Sequence, residues 1–175
     1  MNITVYLGSS MGRSDEYKEK AIELGNWIGS NGHTLIYGGS KTGLMGILAD
    51  SVINAGGKVV GVEPRFFVEG KLQHETISDL IVTETLADRR LKLMEMGDYF
   101  IAFPGGAGTL DELTEVICMM TVDDFDKSVI VYNYKGYYDY LEKQLDLMVR
   151  EEFLMEKVRN RVVFISDIAE LEDII

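Results

Sequence analysis

The chain has 175 residues, 46% hydrophobic and 26% charged, a globular balance that excludes a disordered or collagen-like polypeptide. Acidic residues outnumber basic ones 29 to 17, a net charge of −12, which excludes nucleic-acid binding through a broad basic face. The single cysteine, Cys118, excludes an internal disulfide, and His33 and His74 lie too far apart for a zinc spacing. No apolar run reaches the ~18–20 residues of a membrane span, and the N-terminus lacks a basic stretch followed by an apolar one. The expectation is a soluble, cytoplasmic chain with no membrane contact. Residues 1–65 carry six basic and six acidic residues, so the whole excess of negative charge lies beyond them. An anion site in such a chain has to be built locally, from backbone N–H groups and a few cations.

The first predicted strand covers residues 3–7 and runs into the turn Gly8-Ser9-Ser10-Met11-Gly12. Ser14 reads as a helix N-cap, with Asp15 and Glu16 in the first turn, where the helix dipole favours acids. Tyr17, Ala21, Leu24 and Ile28 then mark one helical face, and Asn31-Gly32 ends it. The second strand, 34–37, leads through a glycine-rich stretch into a helix from near Gly43 to Gly56-Gly57. The third strand is 58–62. Residues 65–79 are the least regular and are expected to form a loop over one end of the sheet. A fourth strand at 80–83 precedes a helix at 87–96 that Gly97 stops. The fifth strand, 99–103, precedes a glycine turn and a helix starting at Thr109. Strands at 128–133 and 162–165 follow, with helices near Tyr138 and at Asp167. Most strands are near-continuous apolar runs, as expected for strands buried on both faces. Strand–helix alternation of this kind predicts an α/β fold. It is a single-domain, Rossmann-like, doubly wound sheet of about seven mostly parallel strands, with helices on both faces. One domain is expected over residues 1–175.

Ligands bind such sheets at the carboxyl ends of the strands. Three strand ends here carry glycine turns that open into helices. The first holds Gly8 and Ser9. The second, Tyr37 to Gly46, holds Gly38, Gly39, Gly43, Leu44, Met45 and Gly46. The third is Pro104-Gly105-Gly106-Ala107-Gly108-Thr109. Glycine allows close backbone approach, and a helix N-terminus aims free N–H groups at an anion. One glycine turn is ordinary in a βα connection, whereas three at one sheet edge suit a phosphorylated small molecule. None has the phosphate-loop spacing, and the first misses the dinucleotide fingerprint. Glu112 has two readings: with Thr109 it makes a capping box, or it is a carboxylate at the mouth of a phosphate site. Arg89 and Arg90 also have two, as a solvated helix face or as a fork for phosphate or carboxylate.

The run Pro104-Gly105-Gly106-Ala107-Gly108-Thr109-Leu110-Asp111-Glu112 resembles the Pro-Gly-Gly-x-Gly-Thr-x-x-Glu signature of the LONELY GUY (LOG) family. These are phosphoribohydrolases acting on cytokinin riboside 5′-monophosphates, long labelled "possible lysine decarboxylase". Arg89 stands where the family's arginine stands. The Tyr-Gly-Gly-x-x-x-Gly-Leu-Met-Gly run from Tyr37 to Gly46, the opening Gly8-Ser9-Ser10 and the later Gly136-Tyr137-Tyr138 match as well, so the resemblance covers nearly the whole chain. The chain departs at Leu86-Ala87-Asp88-Arg89-Arg90, where the family often has Met-x-x-Arg-Lys, and at Ala107, in place of a common aromatic residue. It also departs over residues 121–128, a region that in the family tends to line the base side of the pocket.

The resemblance implies hydrolysis of the N-glycosidic bond of a nucleoside 5′-monophosphate to free base and ribose 5-phosphate, with a role in cytokinin biosynthesis or nucleotide salvage. It casts Glu112 and Arg89 as the catalytic pair. The 105–109 turn would hold the 5′-phosphate with help from Arg90, and residues 38–46 would form the opposite wall. It implies no metal or other cofactor, and a homodimer. The helix after the signature carries Leu113, Val116, Ile117, Cys118, Met119 and Met120, more apolar residues than one buried face needs, which also points to a partner subunit. Cys118 is expected to be a small buried hydrophobe. The sequence leaves the base open. The main alternative is a non-catalytic carrier or sensor of a phosphorylated nucleotide or cofactor, which would keep the glycine turns without the Arg–Glu pair. A single-strand DNA binder fits poorly with the charge. A pyridoxal phosphate decarboxylase fits poorly with so short a chain and no lysine in a Schiff-base setting.

Overall fold

The computed structural model describes residues 1–122 and 125–175. Seven short strands rich in β-branched and aromatic residues form one sheet. They are Asn2–Tyr6 (β1), Thr34–Tyr37 (β2), Lys58–Pro64 (β3), Asp79–Thr83 (β4), Tyr99–Ala102 (β5), Val129–Tyr132 (β6) and Val162–Ile165 (β7). The helices are Glu16–Ser30 (α1), Gly43–Asn54 (α2), Arg65–Glu69 (α3), Leu86–Met96 (α4), Ala107–Met119 (α5), Asp139–Arg150 (α6) and Glu156–Arg159 (α7). Every strand pairing is parallel, in the order β4-β3-β2-β1-β5-β6-β7. The chain steps outward from β1 to β4 and then returns through α4 to lay β5 beside β1. Connections on the two sides of the β1–β5 boundary therefore diverge, which opens a crevice at their carboxyl ends.

Alternation along the strands feeds two cores. Val5, Leu35, Tyr37 and Val59 pack with Leu24, Ile28, Leu48 and Val52 of α1 and α2. Their neighbours Tyr6, Ile36, Val62 and Phe100 pack on the opposite side with Leu93, Leu113, Val116 and Leu145 of α4, α5 and α6. Each fully buried aliphatic or aromatic side chain contributes roughly 1.5–3 kcal/mol. The edge strand β4 is the exception, with no buried residue in its burial pattern. Among the described residues no helix is long and apolar enough to cross a membrane.

Several local expectations are corrected. The residue flanking α1 is Asp15, without a side-chain cap, and Ser14 Oγ instead accepts the Glu16 N–H at 3.3 Å. The 65–79 segment is not simply a loop. It starts with α3, a helix too short to show a period, and is then tied across the end of β2. The Lys41 N–H bonds the Leu72 carbonyl at 3.0 Å, and the His74 N–H bonds the Gly39 carbonyl at 2.8 Å. The α7 turn was not signalled by any apolar period. Helix α5 begins at Ala107, with Gly106 as its N-cap, rather than at Thr109. Cys118 is exposed, contrary to expectation. It continues the Leu110–Thr114 row at intervals of four, on the side of α5 away from buried Leu113, Val116 and Ile117.

Candidate active site

The crevice encloses a cavity of about 460 Å³. Leu7, Gly8 and Ser9 enter it from the end of β1, Gly38 and Ser40 from β2, and Glu63 from β3. Gly106, Ala107, Gly108 and Thr109 close one end. They are the N-cap and first turn of α5, whose N–H groups have no intrahelical partner. No side chain caps this helix, so those N–H groups and the positive end of the dipole are available to an anion. Thr109 is buried, and its hydroxyl lies so close over Gly105 that any Cβ there would overlap it.

This start of α5 removes one of the two readings of Glu112. Counted from Gly106, Glu112 lies well past the first turn, so it is not the acidic half of a capping box. Glu112 and Thr109 both line the cavity and are both buried. Arg89, from the first turn of α4, meets Glu112 there, with Nη1 2.8 Å from Oε1. Arg89 Nε also donates to the Val62 carbonyl at 3.2 Å. The guanidinium passes directly over Gly38, where a Cβ would strike it. Gly38 is therefore required by the route of the arginine. Burial pushes the Glu112 carboxyl up, while the Arg89 charge and hydrogen bond oppose that and favour the anion.

The other predicted residues divide clearly. Met45 lines the cavity. Leu44 and Gly105 line a second hollow of about 210 Å³, which shares Gly8, Ser9 and Gly106 with the first. Gly39, Gly43 and Gly46 line neither and shape the wall from behind. Gly43 is the clearest case, with φ +58° and the Ser9 carbonyl where a Cβ would stand. Arg90 is not brought to the cavity. It pairs with Glu115 at 2.9 Å and with Asp111 at 3.3 Å, joining α4 to α5. Behind the 105–109 turn, Tyr137 Oη donates to the Gly105 carbonyl at 2.6 Å and Tyr138 Oη to the Phe103 carbonyl at 2.9 Å. The Gly136-Tyr137-Tyr138 run thus braces the turn.

Phe67, Leu72 and Leu86 form much of the far wall. None of the described residues of 121–128 lines the cavity, and Asp123 and Asp124 lie outside the described residues. Ser40 and Thr42 lie within the 38–46 wall that was expected, whereas sequence reasoning missed Glu63, Phe67 and Leu72. Glu63 had a readable signal: it is the one acid in an otherwise apolar strand after Lys58, and it sits near the strand's carboxyl end. It is 1% exposed, Oε2 has no hydrogen-bond partner, and burial pushes its carboxyl up to about 7.

A model of the family described as "Possible lysine decarboxylase" matches residues 45–175. The probable cytokinin riboside 5′-monophosphate phosphoribohydrolase LOGL6 of Oryza sativa subsp. japonica is 37% identical over 161 residues. That alignment covers 92% of this chain and 64% of that protein, so the chain spans a little under two thirds of this relative. Cytokinin riboside 5′-monophosphate phosphoribohydrolase LOG1 of Arabidopsis thaliana is 37% identical over 169 residues, covering 97% of this chain and 79% of that protein. Among solved structures, the molybdenum cofactor binding protein of the phototrophic bacterium Rippkaea orientalis shares the fold, with a TM-score of 0.73 at 22% identity over 99% of this chain and 93% of the other. The sequence likeness extends over nearly the whole length and the family model over most of it: this chain belongs to the LONELY GUY (LOG) family.

Proposed function

We propose that the protein is a phosphoribohydrolase that splits a nucleoside 5′-monophosphate, of the cytokinin riboside or AMP type, into free base and ribose 5-phosphate. The observation that carries this reading is the buried Arg89–Glu112 pair, 2.8 Å apart, beside the uncapped N-terminus of α5. The 5′-phosphate occupies the N–H groups of residues 106–109 and the Thr109 hydroxyl. The ribose then lies over Glu112. As the C1′–N bond breaks, its electron pair leaves with the base and positive charge grows on the ribose. The Glu112 carboxylate stabilises that charge and orients the water that adds at C1′; the departing base takes up one proton. Arg89 opposes the burial of Glu112, favours its anion and holds its direction. A carrier would use the same anion site, but it has no need of a buried carboxylate there. Such a charge costs several kcal/mol to desolvate and is a burden unless it is used.

The same reading includes a homodimer. Leu110 and Cys118 on α5 and Leu91 on α4 are exposed, on two helices that Arg90 ties together. This apolar surface lies beside the site and suits a second copy. Light scattering at micromolar concentration should give twice the monomer mass, and a monomer alone would remove the dimer from the proposal.

The test of activity is chromatography of AMP, other 5′-monophosphates and isopentenyladenosine 5′-monophosphate after incubation with the protein. Free base should appear with wild type and not with Glu112→Gln. Nucleotide bound but never cleaved by wild type would transfer the reading to the carrier.

A further inference from the structure

Glu63 is a buried acid that the proposed reaction leaves unused. It lines the cavity, is 1% exposed, and has an Oε2 that accepts no hydrogen bond. The cavity it lines also carries the apolar Phe67, Leu72 and Met45 and the hydroxyls of Ser40 and Thr42, which bond to each other at 2.9 Å. Arg89 gives it no ion pair, because that guanidinium is held by Glu112 and the Val62 carbonyl. Nothing in the packing explains an acid here, since an unpartnered buried carboxyl costs more than an apolar side chain of equal size. The group lacks a donor, and the cavity is where a donor can come from.

Its place in the sheet indicates which donor. The anion site opens from the end of β5, and Glu63 stands at the end of β3. Along the sheet the order is β5, β1, β2, β3, so the two lie three strand spacings apart, ~14 Å. Arg89 and Glu112 line the same cavity. A nucleotide with its phosphate on α5 and its ribose over Glu112 therefore directs its base towards the Glu63 end. Gly39, with φ +82°, lets the Glu63 side chain lie against its backbone, since a Cβ there would stand 3.2–3.4 Å from Glu63 Cβ, Cγ and Cδ.

We propose that Glu63 selects the base, its carboxyl oxygen accepting a hydrogen bond from an exocyclic amino group, so that the preferred ligands are 5′-monophosphates of amino-bearing bases, aminopurines first. This rests on the proposed placement of a nucleoside 5′-monophosphate in the cavity, but not on its cleavage. The rise of the Glu63 pKa to about 7 fits a group that gains from a donor, because an N–H bonded to the carboxylate favours its charged form.

The matched probes are AMP and purine riboside 5′-monophosphate, which lacks only the amino group. Calorimetry with wild type should show AMP binding about 10- to 100-fold more tightly, the scale of one hydrogen bond to a charged group. In Glu63→Met the two affinities should converge to within about threefold, chiefly by loss of AMP affinity, while ribose 5-phosphate binds as before and so reports an intact anion site. Glu63→Gln, which retains an acceptor oxygen, should preserve part of the preference. Equal affinities in wild type, or a preference that persists in Glu63→Met, would overturn the assignment. Discriminating binding without release of base would leave it standing and remove the hydrolase reading. Binding of neither nucleotide would remove both.

Discussion

Replacing Arg89 by methionine tests the central pair without touching the acid. The substitution keeps most of the stem volume and deletes the charge from a side chain only 12% exposed, facing a Glu112 side chain that is 6% exposed. Breaking a buried pair from one side costs about 3–5 kcal/mol, because the remaining charge stays desolvated and unpaired. That is a large share of the ~5–15 kcal/mol that holds a domain together, and about 6–20 °C in Tm for a chain of this length. The cost should depend on pH. Without Arg89, burial and the Asp111 charge are opposed only by Arg90, so the Glu112 pKa rises further above the unfolded value. Above that unfolded value the native state then holds a proton that the unfolded chain has released, and stability falls as pH rises until the folded carboxyl also ionises. Urea unfolding of Arg89→Met should therefore show a penalty near its full size at pH 8 and a smaller one at pH 5. In a Glu112→Gln background the same replacement should cost only the lost packing and the bond to the Val62 carbonyl. A penalty equal in both backgrounds and flat with pH would refute the argument and reduce Arg89 to a packing residue.

Four further outcomes follow from particular residues. Between pH 4.5 and about 7 the folded protein keeps a proton on Glu63 that the unfolded chain has lost, so this group removes about 3 kcal/mol of stability as pH rises through that window. Subtracting the urea profile of Glu63→Gln from that of wild type should isolate the fall, and superimposable profiles would mean Glu63 is solvated. Gly38→Ala sets a methyl group against the Arg89 guanidinium and Met45; turnover of nucleotide should drop at least about tenfold for a stability loss of about 1–3 kcal/mol, and an unchanged rate would show that Arg89 has another route. Tyr138→Phe leaves the Phe103 carbonyl, bonded at 2.9 Å by a buried hydroxyl, without that donor, and should cost about 1–3 kcal/mol in thermal unfolding. Tyr137→Phe, at a half-exposed position, should cost less and appear mainly as weaker binding of ribose 5-phosphate.

The strands were legible because each is an apolar run with polar or glycine borders, and that pattern survives even at the edge, where β4 is only partly covered. Their order followed from alternation with helices, since parallel neighbours need crossovers. The places where the reading failed share a cause: they depend on backbone geometry over one or two residues. Thr109 and Glu112 have capping-box spacing, yet Gly106, in an extended conformation, takes the N-cap role and starts α5 before Thr109. The threonine is then released to pack over Gly105, and the glutamate is carried well past the first turn, to Arg89. Arg90 shows the converse. Adjacent to Arg89 in sequence, it projects from the helix about 100° away and joins Asp111 and Glu115 instead. Cys118 was misjudged because apolar content was counted along α5 without its phase; Leu110, Thr114 and Cys118 form a row of their own.

Two buried carboxylates share one cavity, and a single arginine acts on them unequally. Glu112 has Arg89 at 2.8 Å, a bond that works against its burial. Glu63 feels the same charge only through space and its burial prevails, so its proton is retained to about pH 7. Burial raises both carboxyls, but Arg89 opposes it at Glu112 by charge and hydrogen bond and at Glu63 by charge alone. On the proposed function, the arrangement also explains how a chain of net charge −12 would hold a phosphorylated ligand. The attraction is not a surface field, which is screened within about 8 Å at physiological salt. It comes from the N–H groups of α5 and from one cation, whose charge is largely balanced by Glu112. A ligand phosphate is then bound mostly by fixed dipoles. Arg89 keeps its partner throughout and is left to govern the carboxylate.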